Sequence, residues 1–455
     1  MTPDIFCRIL IKACGVAPGA HILAAVSGGA DSVAMLCLLE QAREKLGLRI
    51  SCAHVEHGIR GEASVRDMDF VRDLCRKKNI AFYETRVNAV SFAEENGCGV
   101  EDAARRLRYA FLKETQKRIG AQMIAVAHHA GDQAETVLMH AARGSDLRGL
   151  CAMRMVSGDV IRPLLGAGNA ELREYLRSIG QAWCEDETNQ DTDYARNAVR
   201  HCVLPQLVRA YPGAENALAH LALCAQRDEA FFAQQIQALD LQMIPLADGA
   251  AVEIASIRGL HDALLSRVLV RFVEMAGAQI SAFVIDSLMR ALRNGDAAAA
   301  VGIGYVGGEY VHARMGERFL CVTRPYQEIG ETYLQMGETT TPFGTFFVRL
   351  AQAWETGDGV SAQTMPKALL EGARVTARRE GDAMVPFGRH SPVKLKKLMI
   401  DAGVERAMRR SVPVIRKGKE ILWVPGLRPS NACRAGEGEE RVMIVFRAPE
   451  CVKIQ

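Results

Sequence analysis

The sequence predicts an α/β protein: a doubly wound, mainly parallel sheet, then a helical middle domain and a small β-rich C-terminal domain. Three observations carry this. Strand and helix signals alternate through the first 180 or so residues, the texture turns helical from about 213 to 325, and short β-like runs dominate 371–455. The chain has 455 residues, 49% hydrophobic and 24% charged, which is ordinary for a globular protein with several cores.

The elements follow in order. "HILAAV" (21–26) is a short apolar run that stops at two glycines, and 32–46 continues with helix-forming composition. "RISCAHVE" (49–56) is rich in strand formers, "EASVRDMDFVRDLCRKK" (62–78) is amphipathic, and "IAFYETRV" (80–87) reads as a third strand. A helix over 101–119, a strand "QMIAVAH" (122–128), a helix "DQAETVLMHAAR" (132–143) and a strand "DVIRPLL" (159–165) complete the alternation. Helices over 214–240 and 261–293 fill the middle domain, which closes in the strand-like "EYVHARM" and "RFLCVT". Residues 326–370 mix strand-like "GETTTPFGTFFVRL" with turn-rich "ETGDGVSAQTMPK" and are expected to form a linker; one helix near 392–402 interrupts the β-rich tail. The expected divisions are 1–212, 213–325, 326–370 and 371–455.

Composition excludes some classes. The longest run without Asp, Glu, Lys or Arg, Ala13 to Ala30, is broken by Pro18, His21 and four glycines, so no membrane span is expected. The opening "MTPDIFCRIL" has no basic region followed by an apolar one, so no signal peptide is expected. There are 13 cysteines, with no CxxC spacing. That argues against a disulfide framework or a cysteine zinc site and fits a reducing cytoplasm; Cys37, Cys52 and Cys321 read as small core residues.

Chemistry concentrates in a few places. Ser27-Gly28-Gly29-Ala30-Asp31-Ser32 lies between the first strand and the first helix of the alternation. The competing readings are a plain turn and a phosphate cradle. Glycines allow close backbone approach, and the following helix supplies N–H groups and a positive dipole end. The loop is not a Walker A motif, because GK[ST] is absent. Its position at the end of the first strand favours phosphate. Asp31 can bind magnesium, orient the loop or cap the helix. Arg105 and Arg108 share a helix face, either as a phosphate clamp or as a solvated face paired with Glu101 or Asp102. Asp132 and Glu135 are three apart at a helix start, the spacing of a capping box. His54, His57, His128 and His129 form two close pairs without ligand spacing for a metal. Arg196 and Arg200 are four apart near Asp186, Asn189 and Asn197, suiting either a salt-bridged surface helix or contact with phosphates. "GIGYVG" (302–307) matches GxGxxG but lacks the strand before and helix after that such a site needs. The segment 374–428 holds 14 Lys or Arg against 5 Asp or Glu, densest at Lys394, Lys396, Lys397, Arg409 and Arg410. That is a footprint for nucleic acid or a basic solvated face.

The SGGxDS run resembles the pyrophosphate loop of ATP pyrophosphatases. "HVEHGIR" (54–60), "EDAARRLRY" (101–109), "AHHAGDQAET" (127–136), "RG" then "GL" (143–150), "IRPLL" (161–165) and "EDETNQDTDYARNAVR" (185–200) follow in order. "RREGDAMVPFG" (378–388), "VKLKKLM" (393–399), "RRSVPVI" (409–415) and "ILWVPGL" (421–427) extend the likeness into the C-terminal domain. Together they resemble the tRNA(Ile)-lysidine synthetase family. The resemblance implies an adenine-nucleotide alpha-hydrolase-like fold and a cytoplasmic ligase that forms a carbon–nitrogen bond. ATP with Mg2+ adenylates the C2 oxygen of the wobble cytidine in a CAU-anticodon tRNA(Ile), and the side-chain amine of free lysine then attacks C2 and expels AMP. It implies ATP contacts at Ser27, Gly28, Gly29, Ala30, Asp31, Ser32 and Arg108, and catalytic roles for Asp31, Arg105, Asp132 and Glu135, the last two holding the lysine ammonium. It implies substrate or tRNA contacts at His128, His129, Asp186, Asn189, Arg196, Asn197, Arg200 and the five basic C-terminal residues. Oligomeric state is left open, a homodimer among the options. Two departures stand out: Gly131 where the family usually has a first aspartate, and Glu56 where it more often has Asn or Asp. The alternatives are a pyrophosphate-loop thiolase, against which the missing CxxC argues, a tRNA-binding relative with an inactive ATP site, and a small-molecule amide ligase.

Overall fold

The computed structural model describes residues 1–58, 62–185, 195–278, 281–296, 299–306, 309–324, 328–436 and 438–454. The chain divides into two compact units, Met1–Ala230 and Phe231–Gln455. No helix among the described residues is long and apolar enough to cross a membrane. None of the 13 cysteines is in a disulfide.

Unit 1 begins with α1 (Pro3–Lys12), β1 (His21–Ala25), α2 (Ala30–Leu46), β2 (Arg49–Glu56), α3 (Glu62–Lys77) and β3 (Ala81–Arg86). It continues through α4 (Ala89–Asn96), α5 (Val100–Ile119), β4 (Met123–Ala125), α6 (Ala130–Ala142), α7 (Leu147–Leu150), β5 (Val156–Ser157), β6 (Val160–Ile161) and α8 (Asn169–Ser178). One further helical run holds α9 (Ala195–Ala198), a π-turn (Val199–Val203) and α10 (Leu204–Ala210); α11 (Ala214–Ala238) spans the division between the units. The sheet order is β3-β2-β1-β4-β6-β5. Every pairing is parallel except β5 with β6. The pleat sends Ile22 into a core with α1, α2 and α8, and its neighbour Leu23 into a second core with Leu112 of α5 and Ile124. Helices therefore cover both faces, as the alternation predicts. Strand order reverses between β1 and β4, which opens a crevice at the carboxyl end of β1.

Two predicted strands are shorter than expected. The 159–165 strand is confined to Val160–Ile161 because Pro163 has no N–H to give a ladder. The 122–128 strand pairs over Met123–Ala125, and the helix expected from 132 starts at Ala130.

Unit 2 carries β7 (Gln242–Leu246), β8 (Gly249–Glu253), α12 (Ile254–Ile257), α13 (Asp262–Met275), α14 (Ala282–Asn294), β9 (Ala300–Val306), β10 (Glu309–Met315) and β11 (Phe319–Thr323). Then come β12 (Thr332–Tyr333), β13 (Gly337–Thr341), β14 (Gly344–Leu350), β15 (Ala362–Pro366), β16 (Ala373–Thr376), β17 (Ala383–Met384), β18 (Val393–Lys394), α15 (Leu395–Asp401), β19 (Val414–Lys417), β20 (Glu420–Trp423), β21 (Arg441–Arg447) and β22 (Val452–Lys453). The helix expected over 261–293 is two helices; α13 ends at Met275, and Gly277 turns the chain at φ +83°, a left-handed conformation. The middle region carries its helices and, beside them, an antiparallel sheet of order β22-β7-β8-β11-β10-β9. Leu265, Val268 and Phe272 of α13 pack on Val252, Leu320 and Val322 of that sheet. The "GIGYVG" run lies on β9 up to Val306, which pairs antiparallel with β10, so no helix N-terminus follows; Gly307 is outside the described residues.

The segment expected as a linker is built into the C-terminal sheets. β14 and β15 both pair with β21, in the order β13-β14-β21-β15. Phe346 and Val348, two apart on β14, face the same core as Val375, Ile415 and Trp423 of the sheet β12-β16-β19-β20. Turn residues between short alternating strands resemble a linker until their partner, far along the chain, is known.

Candidate active site

A cavity of about 890 Å³ opens in unit 1 at the carboxyl ends of β1, β2 and β4. Ser27, Gly29, Asp31 and Ser32 form one wall, Arg105 and Arg108 of α5 another, His128, His129 and Asp132 the base of α6, and Arg196, Asn197 and Arg200 a lip.

The glycine turn is braced from within. Ser32 Oγ accepts the N–H groups of Ser27 and Gly28, each at 3.2 Å, and donates to Gly29 O at 2.9 Å. The Ser32 hydroxyl, expected on phosphate, is thus committed to loop shape; Ser27 Oγ lies 3.2 Å from it and faces the cavity. Gly28 sits at φ +101°, which a side chain would strain. Gly29 caps α2 without a side-chain bond, so the first N–H groups of the helix have no side-chain acceptor. Ala30 is the first residue of that helix. A polyphosphate fits this cradle: backbone donors and a helix dipole on one side, two guanidiniums on the other. Among the described residues no carboxylate pairs with Arg105 or Arg108; Arg105 lies 5.0 Å over the Tyr109 ring, and Arg108 donates to His57 Nε2 at 3.4 Å. Asp102 instead takes Arg106, at 2.7 Å.

Asp31 Oδ1 accepts Asn169 Nδ2 at 2.9 Å. Burial raises its carboxyl, and the Asp132 charge adds to that, against His129, Arg173 and the Asn169 bond. Among the described residues no three His, Cys, Asp or Glu side chains are arranged to hold a metal. Asp31 alone beside substrate phosphates still suits Mg2+, which keeps most of its waters.

His129 caps α6. Its Nδ1 accepts Gly131 N–H, and Asp132 Oδ2 accepts His129 N–H, both at 3.0 Å. That leaves the ring proton on Nε2, 3.6 Å from Asp31 Oδ2 and 3.6 Å from Asp132 Oδ2. Asp132 and Glu135 are both buried and face the paired arginines. Asp132 Oδ1 meets Arg196 Nη2 at 3.2 Å and Arg200 Nη2 at 2.9 Å. Glu135 Oε1 meets Arg200 Nε at 2.5 Å, and Oε2 meets Arg196 Nε at 3.0 Å and Arg200 Nη2 at 2.9 Å. Burial alone would raise the Asp132 carboxyl; His129, its backbone N–H, His128 and Arg196 reverse this and hold it below the usual range. His128 is held down to about 4, by burial first and then by Arg162, Arg196 and Arg105 against Asp132. Its imidazole is neutral at physiological pH.

The π-turn between α9 and α10 precedes Pro205, whose missing N–H and bulky ring disrupt regular helix there. Arg196 and Arg200 reach the same two carboxylates from the stretch entering this distortion.

The residues singled out in the sequence on the loop, α5, α6 and α9 thus converge. Asp186 and Asn189 lie outside the described residues. Lys394, Lys396 and Lys397 are exposed at the start of α15 in unit 2. Arg409 and Arg410 are half-buried, one donating to Val404 O at 2.9 Å and the other 4.0 Å from Asp248. Sequence reasoning missed Asn169, and also Arg162, 7% exposed, which donates to Arg154 O at 2.8 Å. It missed Gln133 and Gln226, both of which donate to Met153 O. A buried arginine in an apolar "IRPLL" run is the one signal that pointed to any of these.

The family described as "PP-loop domain" matches residues 7–207, and "TilS substrate C-terminal domain" matches 373–446. A tRNA(Ile)-lysidine synthase of Geobacter sulfurreducens is 31% identical over 450 residues, covering 94% of this chain and 93% of its own. One of Dehalococcoides mccartyi is 31% identical over 453 residues, covering 94% and 96%. One of Solibacter usitatus is 30% identical over 434 residues, covering 92% and 96%. With the phosphate cradle and the acid–arginine cluster on one cavity, and relatives of this identity matched along nearly their whole length, the chain belongs to the tRNA(Ile)-lysidine synthase family.

Proposed function

We propose that the chain is a ligase that joins free lysine to C2 of the wobble cytidine in a CAU-anticodon tRNA(Ile). The observation that carries this reading is the shared cavity, lined by the phosphate loop, by Arg105 and Arg108, and by the buried Asp132, whose arginine partners also hold Glu135 behind it. In the first step the cytidine C2 oxygen attacks the α-phosphorus of ATP and pyrophosphate leaves. Gly29 and the α2 N-terminus receive phosphate oxygens, Gly28, whose N–H is held by Ser32, shapes the turn instead of meeting phosphate, and Arg105 and Arg108 neutralise charge from the facing wall. Asp31 would hold Mg2+ together with the phosphates, and the ion would supply Lewis-acid neutralisation of the leaving group.

In the second step the lysine ε-amine attacks C2, and the C2–oxygen bond to AMP breaks. The amine arrives as an ammonium and must shed a proton. Asp132 and Glu135 hold that ammonium, and one of the two carboxylates takes its proton. Each is matched by Arg196 and Arg200, so the ammonium enters by exchanging with a guanidinium rather than by filling an empty acid site. The released guanidinium is then available to tRNA phosphate. Neutral His128 beside Asp132 offers an uncharged wall to the cytidine. Asp132 and its bonds are complete with glycine at 131, so the missing first acid does not undo the site.

The test is stoichiometric. AMP and pyrophosphate release from ATP should require tRNA(Ile) with a CAU anticodon, and lysine should speed AMP release without being needed for pyrophosphate. Release independent of tRNA would reject the reading.

A further inference from the structure

We propose that Trp354 is a stacking platform for an unstacked base of bound RNA, a contact that rests on the tRNA reading above. Trp354 is 80% exposed, the most exposed of the large apolar side chains among the described residues. Among the described residues no ring or cation covers its indole. The other two tryptophans are engaged: Trp423 is fully buried, and Trp183 lies under Arg173 and Arg177.

The segment that displays it is tied down on both sides. Arg349 grips Glu355 with two parallel bonds, 2.8 and 2.7 Å, and Glu355 also accepts Gln352 N–H at 2.9 Å. Arg441, from β21, donates to Ala353 O at 2.5 Å. Beyond the tryptophan, Asp358 accepts the N–H groups of Val360, Ser361 and Ala362 at 2.7 to 2.8 Å. Trp423 Nε1 donates to Gly359 O at 3.0 Å, and Gly426 N–H donates to Val360 O at 2.9 Å. A loop fixed at the residue before and the residue after its one exposed aromatic ring loses little entropy when that ring finds a partner.

RNA is the partner the chemistry favours. Every base has a π-face, so a fixed indole binds one without hydrogen-bond matching. The guanidiniums of Arg349 and Arg441 are spent on holding the segment, and the attraction for phosphate comes from the excess of basic residues over 374–428 in the same unit. A protein partner would need a contiguous apolar patch, but the residues next to the ring in sequence are Gln352, Ala353, Glu355 and Thr356, and the exposed Leu350 and Val360 stand four and six residues from it.

The experiment measures binding of CAU-anticodon tRNA(Ile) to the full chain over a salt series. Trp354→Ala should weaken binding about ten-fold, and Trp354→Phe should recover much of the loss, since stacking needs a ring. The slope of log affinity against log salt should stay unchanged, because the indole neutralises no phosphate. A Lys396→Ala, Lys397→Ala double variant should flatten that slope, which keeps phosphate contact distinct from stacking. tRNA should quench the exposed indole's fluorescence in the wild type and not in Trp354→Phe. Equal affinity for wild type and Trp354→Ala, with no quench, overturns the proposal and hands the ring to a protein partner. Failure of the wild type to bind tRNA at all overturns the functional reading instead. At such an exposed position the variants should keep wild-type thermal unfolding.

Discussion

The His129 imidazole closes over Gly131, so that a Cβ added to Gly131 would stand 2.8 Å from His129 Cε1. The glycine backbone is ordinary helix, and what excludes a larger residue is the ring that caps α6 and turns Nε2 toward Asp31 and Asp132. Restoring the family's usual acid with Gly131→Asp is therefore expected to lower activity. Displacing the cap would misplace Asp132, and kcat for lysidine formation should fall roughly ten- to a hundred-fold. Steady-state kinetics of Gly131→Asp and Gly131→Ala check this; a gain in kcat would contradict it.

Arg200 touches both oxygens of Glu135, a side chain only 2% exposed. Arg200→Ala would leave a buried charge short of partners, at about 3–5 kcal/mol of stability. Removing both charges in Arg200→Gln, Glu135→Gln should cost clearly less. Urea unfolding of the two variants provides the comparison, and equal losses would show that the pairing is not what holds the cluster.

The Ser32 hydroxyl organises the phosphate loop from inside. Ser32→Ala orphans two N–H groups, an effect of about 1–3 kcal/mol on the loop. The expected result is a raised KM for ATP with the KM for lysine unchanged. A change confined to lysine would place Ser32 elsewhere in the reaction.

Folding should weaken as pH falls below neutral. His128 titrates at about 4 in the folded state and near 6.5 unfolded. Between those values the unfolded chain binds a proton that the folded unit refuses. Its contribution is complete above about 6.5 and is lost as pH falls toward about 4. His54, also lowered by burial, acts with the same sign. Asp31, raised, acts oppositely, over the window between 3.8 and its raised folded-state value. Urea unfolding between pH 7 and 5 should show the decline, and His128→Gln should flatten it; an identical slope in the variant would contradict this.

The catalytic unit was legible because its strands are short apolar runs broken by helices of clear period, and because the turn after β1 is glycine-rich for a backbone reason. The site was legible as a set of residues but not as a set of contacts. Asp132 and Glu135 look like a capping box, yet the box on α6 is His129 with Asp132, and the partners that the two carboxylates share lie more than 60 residues away on α9 and just beyond it. No local pattern encodes such a pairing. The stretch 326–370 read as a linker for the same reason: β14 finds β21 only across the fold. In 261–293 helical composition on both sides of Gly277 hid the break, which one glycine alone did not announce.

Whether one cavity carries both adenylation and amine attack is decided by nucleoside mass spectrometry. The protein is incubated with ATP, Mg2+, lysine and unmodified CAU-anticodon tRNA(Ile), and the tRNA is digested. The expected result is a lysine-sized mass gain on cytidine with the wild type and none with Asp132→Ala. An unmodified cytidine from the wild type, with the tRNA still bound, would contradict the shared-cavity mechanism.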